Sequence, residues 1–329
     1  MMMESTDNEI GEFALIRWIQ QQAGSGNKLI RGIGDDCAIE QLTAESQLLT
    51  STDLLIEDIH FRREWTSMFD LGRKSVAVNL SDIAAMGGVP RSLYLGIGRP
   101  KQLGEKEIKE FIRGFLHETQ QFDVVLAGGD TCASPGPLII SVTVQGHVKA
   151  GTAIQRHGAR NGDAIYVSGT LGDSALALHL LQSGQIPPEP LAQRLHTPTA
   201  RVNIGCFLRE EGLATAMLDI SDGLMADLNH LLVASGGGAE IALSALPLSD
   251  AFRRELNKDP LLIDLALAGG EDYELLFTSH RHDLGRYPAF NPEVVKIGTI
   301  TADGGMTIRQ DSGRVYQCRK RGFDHFIDE

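Results

Sequence analysis

The chain has 329 residues, 42% hydrophobic and 22% charged, which excludes a wholly disordered polypeptide and predicts about two globular domains. Its 43 Asp and Glu against 30 Lys and Arg leave a formal net charge of -13, a poor basis for general binding to nucleic acid or to an anionic membrane. An anionic substrate would need a local device that inverts this field, and bound divalent cations are the obvious one.

Residues 10–22 space apolar side chains at near-helical intervals and predict an amphipathic helix. Short strands are expected at 29–33, 36–39 and 47–52. The pattern of 70–86 predicts a helix with Val76, Leu80, Ile83 and Ala84 on its buried stripe, Asp70 as its cap and Gly87-Gly88 as its end. A strand (92–98), a charged amphipathic helix (104–121), a buried strand (122–127) and a longer alternating strand (138–148) follow. The glycine-rich, basic stretch 149–162 marks a boundary, giving domains at 1–150 and 151–329. The second half opens on a strand at 163–169. Helices are expected at 172–183, 199–211 and 223–235, strands at 215–220, 239–243, 274–278 and 294–300, and a loop at 184–190. The whole reads as α/β (α+β) in two domains.

Four widely spaced cysteines, Cys37, Cys132, Cys206 and Cys318, argue against a zinc site or a disulfide framework. Glu4, Asp7, Glu9 and Glu12 stand where an export signal needs basic and then apolar residues. No apolar run approaches the roughly 20 residues of a membrane span, so a cytoplasmic protein is expected.

The chemistry gathers in acidic motifs beside glycine or at the ends of strand-like runs: Asp35-Asp36, Ser51-Thr52-Asp53, Asn79 to Asp82, Gly128 to Thr131, Asp219 to Gly223 and Gly269 to Asp272. Oxygen ligands on loops and strand ends suit hard cations, and Mg²⁺ is commonly held by a few carboxylates plus substrate phosphates. Each motif has a plainer reading. A Gly-Asp pair is usually a turn. Asp219 and Asp222 would serve as helix caps, and Asp82 as an exposed helical acid. Against that, Asp82 lies in the apolar stretch VAVNLSDIAAM, where an unpaired charge is costly. Several such motifs in one acidic chain favour a shared metal cluster. P-loop, dinucleotide-fold, protein-kinase, zinc-protease and nucleophile-elbow motifs are all missing from the sequence.

The set GEF (11–13), GIGDDC (32–37), STD (51–53), His60-Phe61, NLSDIAAMGG (79–88), GGDT (128–131), SGTLGDSA (168–175), DISDGL (219–224), GGEDYEL (269–275) and FDHF (323–326) resembles thiamine-monophosphate kinase, in order and over nearly the whole chain. DISDGL and GGDT are shared with the wider superfamily of aminoimidazole ribonucleotide synthetase, selenophosphate synthetase and a hydrogenase-maturation protein. GEDYEL, the early GEF and the terminal DHF narrow the match.

The resemblance implies an AIR synthetase-like fold whose N-terminal, ATP- and Mg²⁺-binding domains pair in a homodimer, with a C-terminal α/β domain completing the active site. It implies phosphorylation of thiamine monophosphate by ATP with several Mg²⁺ ions. Metal ligands would fall on Asp36 (or its neighbour Asp35), Ser51, Thr52, Asp53, Asp82, Asp130, Asp219 and Asp222. ATP contacts would fall on Gly129, Asp130, Arg156 and Ser221, and substrate contacts on His60, Glu271 and Phe323. At 323 the family commonly has Tyr or Trp; Phe keeps the stacking face and loses the polar handle.

Without the resemblance, Arg156 reads equally as a solvated linker residue, His60 as a surface histidine, Glu271 as a helix N-terminal acid and Phe323 as a core anchor. A related enzyme acting on an amidine or a selenide is one rival, although residues 1–30 lack the cysteine a selenide enzyme would need. A non-catalytic Mg²⁺–nucleotide-binding regulator is another. The acceptor phosphate is already ionised at neutral pH, so no strong general base is required.

Overall fold

The computed structural model describes residues 12–23, 29–31, 39–40, 42–287, 290 and 294–320. The chain divides into two units, residues 1–83 with 90–150 and residues 84–89 with 151–329.

In the first unit, helix α1 (Glu12–Ala23) and the paired strands β1 (Leu29–Arg31) and β2 (Ile39–Glu40) precede a four-stranded sheet. Strands β3 (Ser46–Ile56), β4 (Val89–Pro100), β5 (Val125–Ser134) and β6 (Ile139–Lys149) form it in the order β3-β6-β4-β5. β3 is antiparallel to β6, and β4 is parallel to β5. Helices α2 (Met68–Ala85) and α3 (Glu105–Gln121) make the crossings from β3 to β4 and from β4 to β5. The alternation read in 138–148 is a real two-sided strand, with Ile140, Val142 and Val144 fully buried on one face.

The stripe Val76, Leu80, Ile83 and Ala84 of α2 is buried as patterned, and so are Ala77, Val78, Asn79 and Ser81. The helix begins earlier than expected, because Ser67 and not Asp70 caps it. Ser67 Oγ accepts the Asp70 N–H at 3.0 Å and donates to Asp70 Oδ2 at 2.8 Å. β5 runs past the 122–127 apolar core through Gly128, Gly129 and Asp130, residues that seldom form strands alone. Pairing with β4, Gly96 opposite Asp130, draws them in.

The second unit carries six strands: β7 (Ala164–Ser168), β8 (Ala216–Asp219), β9 (Gly238–Ala242), β10 (Leu275–Ser279), β11 (Val294–Thr301) and β12 (Gly305–Arg309). Their order is β12-β9-β11-β7-β10-β8, antiparallel throughout except the parallel pair β12 and β9. Helices α4 (Asp173–Gln182), α5 (Glu189–His196), α6 (Val202–Glu210), α7 (Leu224–Ser235), α8 (Asp250–Leu256) and α9 (Ile263–Ala268) complete it. Its core joins Ile165, Val167 and Leu276 of the sheet to Leu228 and Leu231 of α7, Phe252 of α8 and Leu267 of α9. Among the described residues, no helix is long and apolar enough to cross a membrane.

Candidate functional site

In the first unit, β3 places Ser51 and Asp53 on the face it shares with buried Leu49 and Leu55. They lie mid-strand, not at a strand end. From α2, Asp82 reaches this face, and Ser51 Oγ donates to its Oδ2 at 2.6 Å. This contact gives the acid in the apolar stretch a partner. Burial, and then the neighbouring Asp82 charge, pushes the Asp53 carboxyl from its ordinary 3.8 up to about 6. Thr52 alternates to the opposite, exposed face, where its hydroxyl donates to Val142 O at 3.1 Å and meets Thr143 Oγ1 at 3.0 Å. Its side chain therefore does not join Ser51 and Asp53.

Asp130 is exposed on β5, the other edge of the same sheet, and its Oδ1 accepts the Thr131 N–H at 2.9 Å. Gly129 lets β5 lie close to β4, since a Cβ there would stand 2.0 Å from Leu95 O. His60 follows β3, and its Nδ1 accepts the Ile56 N–H at 3.0 Å. In the neutral ring this leaves the proton on Nε2, making that atom a donor.

In the second unit, β8 ends on buried Asp219 and the chain turns through 220–223 into α7. Neither Asp219 nor Asp222 caps that helix; its N-cap is Gly223, with no side-chain cap. The turn is held by Asp227, one turn inside α7, whose Oδ2 accepts the N–H groups of Ser221 (3.1 Å), Asp222 (3.0 Å) and Gly223 (3.1 Å). Burial and the Asp222 charge push the Asp227 carboxyl up to about 7, while the three N–H groups act in the other direction. Sequence reading missed Asp227. Its signal is the DISDGLxxD spacing, which puts a carboxylate one helical turn after the loop.

The loop between α9 and β10 lies along this turn. Glu271 N donates to Ser221 O at 2.7 Å, Tyr273 N to Ile220 O at 2.8 Å and Ile220 N to Glu274 O at 2.8 Å. Glu271 (φ 65°) and Tyr273 (φ 50°) both occupy the left-handed region, which persists in such residues only where surrounding contacts impose it. Glu271 thus precedes a strand and is no helix N-terminal acid. Arg156 is exposed, and its carbonyl accepts Ser235 Oγ–H at 3.3 Å.

Asp35, Asp36 and Phe323 lie outside the described residues. Among the described residues, no three of His, Cys, Asp and Glu form a group able to hold a metal ion by themselves. Each unit instead offers a small set of hard oxygen donors, Ser51, Asp53 and Asp82 in one and Asp219 and Asp222 in the other. Donors of this kind and number suit Mg²⁺ that takes its remaining ligands from phosphates and water. Burial and then the Asp82 charge disfavour the ionised Asp53 carboxyl, and a bound cation would offset both.

Residues 34–148 match the AIR synthase related protein N-terminal domain, and residues 160–311 match the corresponding C-terminal domain. The thiamine-monophosphate kinase of Haemophilus influenzae is 39% identical over 329 residues, covering 96% of this chain and 98% of that protein. A crystal structure of thiamine-monophosphate kinase from Stenotrophomonas maltophilia K279a superimposes with a TM-score of 0.80 at 39% identity, covering 92% of this chain and 96% of the other. A structure of AaThiL complexed with AMPPCP and TMP gives a TM-score of 0.76 at 35% identity, over 96% of this chain and 97% of that one.

Proposed function

The chain belongs to the thiamine-monophosphate kinase family, and from that premise we propose that it transfers the γ-phosphoryl group of ATP to thiamine monophosphate, giving thiamine diphosphate and ADP. The observation that carries this reading is the near-complete match to a kinase of that name at 39% identity. It gains support from the AaThiL complex, which holds both AMPPCP and TMP.

We assign Asp53, Asp82, Asp130, Asp219 and Asp222, with Ser51 and Asp36, to Mg²⁺; the Thr52 hydroxyl, on the opposite face of β3, is not part of that set. Bound there, Mg²⁺ would neutralise the polyphosphate that this acidic chain otherwise repels. Gly129, Asp130, Arg156 and Ser221 serve ATP. Gly129 keeps β5 against β4 so that its main chain can face the nucleotide, and Arg156 offers a guanidinium for a phosphate. His60 donates from Nε2 to the acceptor substrate. Glu271 places a carboxylate by the cationic thiamine moiety, and Phe323 supplies a ring for stacking. No activated Ser, Cys or His nucleophile is needed. A phosphate oxygen of thiamine monophosphate attacks the γ-phosphorus, the bond to the β-phosphate oxygen breaks, and ADP leaves with that electron pair.

The N-terminal units pair in a homodimer. What supports this is edge strand β3, whose Leu48 (45%) and Leu54 (54%) stand exposed on one face. The enzyme works in the cytoplasm.

The test is ATP consumption with and without thiamine monophosphate and Mg²⁺. Turnover is expected only with all three. ATP hydrolysis indifferent to thiamine monophosphate overturns the assignment. With γ-labelled ATP alone, no label should remain on the protein, and a label that chases into product overturns direct transfer.

A further inference from the structure

Two motifs that the reaction leaves without a role, SGTLGDSA and the far end of GGEDYEL, are bound to each other in the second unit. Glu274 is completely buried. Ser168 Oγ donates to its Oε2 at 2.6 Å. Arg201 grips both oxygens, Nε to Oε2 at 2.6 Å and Nη2 to Oε1 at 2.7 Å. Gly169 makes room, since a Cβ there would stand 2.1 Å from Glu274 Oε1. Two residues earlier, buried Asp272 accepts the Gly172 N–H on both oxygens, at 2.9 and 3.1 Å.

Arg194, on α5, ties this buried cluster to the loop. Its Nη2 donates to Glu274 Oε1 at 2.6 Å and to the Asp272 carbonyl at 2.8 Å. That carbonyl sits between Glu271 and Tyr273, the two residues in the left-handed region. Arg194 Nε is meanwhile buried with no hydrogen-bond partner among the described residues. An unsatisfied buried donor is costly, so this side chain is placed for its two Nη2 contacts at the expense of its own satisfaction. Glu274 does not depend on Arg194 for neutralisation, because Arg201 pairs with it in a fork. Beside the backbone hydrogen bonds that join the loop to the 220–221 turn, Arg194 adds a side-chain donor to the Asp272 carbonyl and a positive charge near the buried Asp272 carboxyl.

We propose that Arg194 is a positioning residue for thiamine monophosphate: through the Asp272 carbonyl it fixes the left-handed geometry of 271–273 and so aims the Glu271 carboxylate at the substrate. The inference rests on the assignment of Glu271 to thiamine monophosphate. It adds a remote residue, on a helix the sequence does not announce, that sets affinity for one substrate and not the other.

The test compares Arg194→Met and Arg194→Lys with the wild-type enzyme by steady-state kinetics in each substrate, thermal melting and hydrogen exchange of the 269–274 amides. Arg194→Met keeps the apolar stem and leaves Glu274 paired with Arg201, so the melting temperature should fall by only a few degrees. Its KM for thiamine monophosphate should rise about tenfold, as for one charge-assisted hydrogen bond, with KM for ATP changed less than about twofold. Exchange at the Glu271 and Tyr273 amides should quicken. Arg194→Lys, which restores one donor, should recover part of the KM. Equal rises in both KM values, or faster exchange with an unchanged KM for thiamine monophosphate, would reduce Arg194 to a structural residue and overturn the proposal. Glu271→Ala separates the two layers. If that variant binds thiamine monophosphate normally, the assignment of Glu271 fails. If it binds weakly while Arg194→Met behaves as wild type, only the positioning role fails.

Discussion

The two acidic regions are built on opposite plans. In the first unit, Asp53 and Asp82 project from a strand and a helix whose places are set by burial of their neighbours; a serine hydroxyl donates to Asp82, and the Asp82 charge bears on Asp53. In the second unit, the acids assigned to metal stand at the end of a strand and on the turn that follows it, and further buried carboxylates hold that turn and its neighbour. Asp227 gathers three N–H groups, and Asp272 and Glu274 hold the adjoining loop. Regular elements position a ligand without further help, and at Asp53 burial and a like charge still disfavour the ionised form. A turn needs anchors, and a carboxylate accepting several N–H groups is a strong one. The same side chain therefore has two uses in this chain, ligand in both units and anchor in the second, and they should respond differently to substitution.

Removing a ligand should have the largest effect. Asp53→Asn is expected to lower kcat on the order of a thousandfold or more while raising stability. The sign follows from linkage. A carboxyl raised to about 6 binds its proton more tightly in the folded state than in the unfolded chain. The stability it confers is present below about pH 4 and is lost as pH rises through about 6, a penalty of about 3 kcal/mol at neutral pH. Melting curves of metal-free wild type should fall between pH 5 and 7.5 more steeply than those of Asp53→Asn, and Mg²⁺ should flatten the wild-type curve. Equal slopes would remove the repulsion from the argument.

An anchor should behave in the reverse way. Asp227→Ala leaves three N–H groups without their acceptor and should destabilise the protein by about 2–3 kcal/mol, with a loss of activity that follows the disordered turn. Asp227→Asn keeps an acceptor oxygen and removes a charge whose carboxyl is raised to about 7. Above pH 7 its melting temperature should therefore lie close to wild type or above it. If Asn and Ala are equally damaging at pH 8, Asp227 acts through its charge, and the contrast between the two units fails there.

Much of this was legible in the sequence, and the gaps have physical causes. The stripe of α2 and the alternation of β6 are patterns fixed by burial, and both appear as read. Ser51 to Asp53 read as a strand end, because serine, threonine and aspartate suggest a turn; eleven residues of pairing with β6 override that. Helix α5 was hidden behind GQIPPEP, since proline reads as a loop although it is well tolerated in a first helical turn, where Pro190 stands. Helix α9, six residues of nearly unbroken apolar sequence, has no polar face to give it a period. The acidic motifs themselves were visible as candidates. Apart from Asp227, which the DISDGLxxD spacing marks, the acids that serve as anchors were not, because a hydrogen bond to a backbone N–H leaves no pattern in residue type.

The smallest expected effect tests whether anchoring extends to the C-terminal segment. Asp264, buried on α9, accepts Tyr316 Oη–H on Oδ1 at 2.6 Å and Arg319 Nε–H on Oδ2 at 2.8 Å. Burial alone would raise its carboxyl, but these hydrogen bonds and the guanidinium charge hold it below its ordinary value. The sign is now opposite to that of Asp53. The stability it confers is present above the unfolded carboxylate range, near pH 4, and is lost as pH falls through the lower folded value. Asp264→Asn keeps the geometry and weakens both contacts. Because Arg319 is half exposed and screened, the loss should be only about 1 kcal/mol at pH 7, shrinking towards zero in acid. Phe323 follows four residues after Arg319, so the same variant should raise KM for thiamine monophosphate a fewfold and leave KM for ATP unchanged. Phe323→Ala should produce the same split more strongly, and Phe323→Tyr should be mild. A melting temperature lowered in Asp264→Asn with both KM values intact would confine this carboxylate to folding and detach the C-terminal segment from the substrate.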